Sequence, residues 1–193
     1  MRFFLQTLFG VFVKPSRLSR RIIARKPMVT SVLMVLLAVA GTVVYGPLTG
    51  APVPVEWTDL LARFGVRCGI MFAGLFLAAG LLHLSADLMG GGGSGAALLA
   101  LLCIGTAPLI LLAPIGLLLH SIGLSVIGWI PTTVDFVIMV WMLVLYLVFI
   151  KETYRFKAGK ALLTMLLPLC VMLFVMVLGA LRVLFAHPAV PFV

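Results

Sequence analysis

Five apolar runs follow one another between residues 28 and 185, and each is long enough to cross a bilayer as a helix. A crossing takes about 20 predominantly apolar residues. The runs cover residues 28–44, 66–85, 96–119, 132–150 and 161–185. Of 193 residues, 64% are hydrophobic and 10% are charged, against about 25% charged in a soluble domain. A water-facing surface cannot be built from that, and no room is left for a separate soluble domain. Strands are excluded too. An open sheet edge is unsatisfied in lipid, and no series of alternating ten-residue segments is present. The expected fold is all-α: a polytopic bundle of five transmembrane helices (28–193) preceded by a short amphipathic interfacial segment (1–27).

The net charge of +9 is unevenly placed. Seven of the fourteen basic residues precede Met28: Arg2, Lys14, Arg17, Arg20, Arg21, Arg25 and Lys26, with no acidic residue among them. Beside a membrane span, such a flank is explained by retention on the cytoplasmic side and by anionic headgroups rather than by nucleic acid. Lipid-headgroup contact is accordingly expected of Arg17, Arg20, Arg21, Arg25 and Lys26. The turn before the last run adds Lys151, Arg155, Lys157 and Lys160, while the second and third loops carry no basic residue. Four spans separate the two basic regions, so they share a side. The charge rule then places the N-terminus in the cytoplasm and the C-terminus outside.

MRFFLQTLFGVFV lacks the small-residue cleavage site of a signal peptide and is expected to be retained. Phe4, Leu5, Leu8, Val11 and Phe12 recur at helical spacing, which suits a helix lying in the interface. Lys14 and Pro15 end it. Ser16 then caps a basic helix with Leu18 and Ile22 on one face and Arg17, Arg20 and Arg21 toward headgroups. Trp57, before the second run, suits an interfacial anchor.

Gly90, Gly92 and Gly95 formally satisfy G-x-G-x-x-G. The dinucleotide motif needs a preceding strand inside a βαβ unit, whereas this one joins two membrane helices and reads as a tight turn. Ser94 has no nucleophile-elbow context, and no H-E-x-x-H or paired catalytic carboxylates occur. His83 and Asp87, four apart, share a helix face and are expected to form a hydrogen-bonded pair at the headgroup boundary; a metal site would need a third ligand. Cys68, Cys103 and Cys170 lack metal or redox spacing and read as small buried hydrophobes. No metal, cofactor or catalytic residue is assigned.

Gly65, Gly69 and Ala73 form a small-residue ladder that admits close helix approach, either inside the chain or between two copies. Pro108 and Pro114 in the third run and Pro168 in the fifth each remove a backbone donor, so those helices are expected to kink. Asp135 and Arg182 match in depth near the outer ends of the fourth and fifth runs, with His120 close by. They either pair within the membrane, or Arg182 snorkels while Asp135 caps its helix.

Three stretches carry a family likeness: LLHLSADLMGGGGSGAALLALLCIGTAPLILLAPI, with its late His, Gly-rich turn and mid-span Pro108, then KPSRLSRRIIARKP, and YRFKAGKALLTMLLP. Together they resemble the Yip (Ypt/Rab-interacting-protein) domain family. That resemblance implies five spans, a cytoplasmic N-terminus and no known catalytic activity. Eukaryotic relatives carry a long cytoplasmic region linked to Rab GTPases; with about 27 residues before the first span, this chain resembles the short prokaryotic type, which implies a prokaryotic inner (plasma) membrane.

The expected role is that of a non-catalytic membrane protein, an accessory or scaffold subunit acting through anionic lipids, a partner membrane protein or its own copy. The alternative is a small transporter or channel for ions, protons or lipid, suggested by proline-bearing helices with ionisable residues near their ends.

Overall fold

The computed structural model describes residues 2–25, 27–49 and 56–186, with backbone alone at 2, 3, 126, 172, 175 and 179–186. Among the described residues the regular structure is helical. Two short helices, α1 (Arg2–Val13) and α2 (Pro15–Arg25), precede α3 (Met28–Thr49) and α4 (Trp57–Leu88). The third span is divided into α5 (Gly95–Ile104), a 3₁₀ turn (Ala107–Leu111) and α6 (Leu112–Ser121). Then come α7 (Trp129–Tyr154) and α8 (Ala158–Ala186). Five units are long and apolar enough to cross a membrane, and the protein is a multi-pass membrane protein.

The divided third span is the axis of the bundle. It is 67% buried over its most apolar window, against 17% for α4 and 12% for α8. A helix apolar on every side gains most contact at the centre, and residues 97–108 are buried almost without interruption. Helix α3 lies along its whole length, burying Met34, Val35, Ala38, Val39, Val43 and Tyr45 while Val32, Leu33 and Leu37 face outward. Helix α4 packs on α3, α5 and α8, and α7 packs on α2, α5 and α8.

The break differs from the expected proline kinks. It begins at Gly105, where a Cβ would come within 2.5 Å of the Tyr146 ring. The Thr106 side chain turns back to the Cys103 carbonyl at 2.7 Å. Pro108 sits inside the 3₁₀ turn and Pro114 in the first turn of α6, where a missing N–H leaves no intrahelical bond unmade. Helix α8 continues through Pro168, with Thr164 Oγ1 donating to the Lys160 carbonyl.

The N-terminal helices pack on the rest of the bundle. Val11, Leu18 and Ile22 are buried in one cluster with Met34, Leu101, Ile104, Leu145 and Phe149, and Phe4, Leu8 and Phe12 pack against it. Phe4, Leu8 and Phe12 are thus partly covered by protein. Leu5, Phe9 and Val13, one turn apart on the other side of α1, are exposed instead. The reason is that α2 docks on α5 and α7 and carries α1 with it.

Two helices end in matching turns. Gly90 closes α4 with φ +77°, while the Gly91 N–H donates to the Ala86 carbonyl at 2.9 Å. At the end of α7 the same left-handed position is held by Arg155 (φ 54°, ψ 36°), and the Phe156 N–H donates to the Lys151 carbonyl at 3.0 Å. Glycine is the usual occupant, and a side chain there costs about 1–2 kcal/mol.

Candidate functional site

Polar side chains gather at the end of the bundle that also carries α1 and α2. His83 Nδ1 lies 2.6 Å from Tyr154 Oη and 3.6 Å from an Asp87 carboxylate oxygen. Asp87 shares the helix face with His83 as expected, but at 3.6 Å it is beyond hydrogen-bond range, and the hydrogen bond of His83 goes instead to Tyr154, which reaches from α7 across to α4. Tyr154 is buried and stacks on Phe156 at 5.6 Å, and Lys160 Nζ lies 4.8 Å from the Phe156 ring centre. Both contacts to His83 converge on one ring nitrogen. A proton relay would use Nδ1 and Nε2 for different partners, so the geometry suits a pin between helices.

The Gly-rich turn is shaped by these rings. A Cβ at Gly91 or Gly93 would come within 2.7 or 2.6 Å of the Tyr154 ring, and one at Gly95 within 2.7 Å of the His83 ring. Close approach therefore explains Gly91, Gly93 and Gly95, and positive φ explains Gly90. Sequence reasoning missed Tyr154, because a tyrosine in a basic turn carries no periodic signal. The glycine run beside it was the available clue.

Arg20, expected among headgroups, donates from Nε to Glu152 Oε2 at 2.9 Å and ties α2 to α7. Arg20 stays largely exposed, so the pair orients α2 more than it stabilises the bundle. Arg17, Arg21 and Arg25 are exposed on α2, and Lys26 lies outside the described residues. Between α2, the turn at 92–94 and the end of α7 lies an open cavity of about 1130 Å³.

At the opposite end, Asp135 and His120 are exposed on α7 and α6, and no contact joins them among the described residues. The Arg182 side chain lies outside the described residues. The expected pairing of Asp135 with Arg182, with His120 as a third member, therefore falls outside the described residues. Trp57 and Trp129, at the starts of α4 and α7, are 81% and 70% exposed.

The small-residue ladder is open. A Cβ at Gly65 or Gly69 would meet nothing within 4 Å, and Ala73 is exposed. Among the described residues α3, α5 and α8 contact α4 while Gly65, Gly69 and Ala73 stay open, so the expected packing within the chain is not made at this face. Of the cysteines, Cys103 is buried, Cys68 is half-buried and Cys170 is exposed, so the reading of all three as buried hydrophobes holds for Cys103 alone. The described buried side-chain polar atoms have hydrogen-bond partners, among them Ser31, Ser85 and Thr153, each bonded to a carbonyl one turn back.

A family model described as the Yip1 domain matches residues 9–179. No curated protein and no solved structure matches the chain.

Proposed function

The chain belongs to the Yip1 domain family, and from that premise we propose that this multi-pass membrane protein is a non-catalytic accessory or scaffold subunit that binds another membrane helix along α4. The observation that carries the reading is the vacancy over Gly65 and Gly69. Glycine in a helix interior is about 1 kcal/mol less favourable than alanine, and nothing among the described residues uses the close approach these two permit. A helix from a second copy or from a different membrane protein would use it.

Gly69→Leu is expected to leave thermal unfolding of the detergent-purified chain unchanged or slightly raised, while lowering at least tenfold the recovery of the partner chain or of the self-crosslinked dimer. Unchanged recovery of the same species would overturn the proposal. Transport is the second reading, favoured by the broken central span. Flux of ions or lipid through proteoliposomes holding this chain alone would decide for it.

Orientation follows the basic regions: the end carrying α2 and the α7–α8 turn is assigned to the cytoplasm. Single cysteines placed at Ser16 and Lys157, with the native cysteines replaced, should label from one side of sealed vesicles, and one at Pro191 from the other. Labelling of position 191 together with 157 would reject this orientation.

A further inference from the structure

We propose that the cavity at the basic end of the bundle binds a phosphate monoester, carried by a lipid headgroup or by a small soluble molecule. Its wall holds three cations, Arg20, Lys151 and Arg155, against one carboxylate, Glu152. Glu152 is engaged by Arg20. Lys151 and Arg155 make no ion pair among the described residues, so the cavity keeps an excess of two positive charges beside a surface already rich in arginine.

The facing wall is Gly92, Gly93 and Ser94. Ser94 is the residue before α5, and its hydroxyl makes no capping bond to the helix. The first amides of α5 lack intrahelical acceptors, and a helix start of this kind favours an anion. The N-cap residue of a helix start and two cations without an ion pair among the described residues therefore line the same space.

The backbone at Arg155 supplies a separate argument. The equivalent turn after α4 uses Gly90, whereas the turn after α7 holds an arginine in the left-handed conformation at the cavity wall. Strain of this kind persists where the side chain has a role that glycine could not fill. Complementing the C-terminal dipole of α7 does not require it, because Lys151 already lies in the last turn. A guanidinium at this place offers the paired donors that match phosphate oxygens.

The experiment uses the full chain in neutral detergent, titrated with dihexanoyl phosphatidic acid in mixed micelles and, separately, with glycerol 3-phosphate, following the unfolding temperature. The wild type should show a saturable rise. Arg155→Gly should unfold at the same or a higher temperature without ligand, since glycine suits the turn, yet bind at least tenfold more weakly. Lys151→Gln should weaken binding in the same direction. A response to the lipid alone assigns the site to a headgroup; a response to both assigns it to the phosphate group itself, and either supports the proposal. No saturable rise with either compound, or equal affinity in Arg155→Gly and the wild type, overturns it. The outcome is independent of the α4 reading, since none of these residues lies on α4.

Discussion

Gly41→Leu should prevent the bundle from closing, whereas Gly46→Leu, five residues further along α3, should be tolerated. A Cβ on Gly41 would sit 2.6 Å from the Leu109 carbonyl oxygen and 3.2 Å from Ile110 Cα. These are backbone atoms of the 3₁₀ turn in the central span, so no side chain can swing aside. Within the turn, Ala107 and Pro108 are themselves buried, so it has little room to shift. Overpacking a core commonly costs about 1–3 kcal/mol, and a contact of backbone on backbone belongs at or beyond the upper end, about 3 kcal/mol or more. That is a large share of the roughly 5–15 kcal/mol that separates a folded domain from its unfolded state. Around Gly46 a Cβ meets nothing within 4 Å. Thermal unfolding of both variants in one detergent measures the contrast. Equal unfolding temperatures would show that α3 and the central span are not in backbone contact at Gly41.

Tyr154→Ala should be the most damaging side-chain truncation at the basic end. The ring is buried at the meeting point of α4, α7 and the glycine turn, in contact with Phe156, Gly91 and Gly93. Removing a buried aromatic ring costs about 3–5 kcal/mol through lost transfer energy and the cavity left behind. Tyr154→Phe keeps the ring and loses only the hydroxyl contact to His83 Nδ1, and should cost about 1 kcal/mol. The two variants separate packing from hydrogen bonding. If Phe proved as harmful as Ala, the hydroxyl rather than the ring would hold this end together; if Ala were harmless, the ring would not be packed there.

Several features of the fold were legible before any coordinates. Five apolar runs predict five crossing helices, because a backbone in lipid must satisfy its own hydrogen bonds and a helix does so within one segment. His83 and Asp87 are neighbours because four residues nearly complete a turn. Gly90 marks a helix end because it accepts a left-handed conformation without strain. Arg155 escaped the same logic, since nothing about an arginine announces such a backbone.

What the tertiary structure alone decided is which side of each helix meets which neighbour. Gly41 and Gly69 look alike in the sequence, yet one is pressed against backbone and the other faces open space. Cys103 and Cys170 both lie in apolar runs, and one is buried while the other is exposed. On α1, helical spacing picks out Phe4, Leu8, Val11 and Phe12 as one face, with Leu5 the exposed exception, but that this face meets protein was decided by packing. In water, a polar face reveals how a helix is turned. In a bilayer the lipid side is as apolar as the protein side, so the residue pattern determines length and depth while rotation is left to packing between helices.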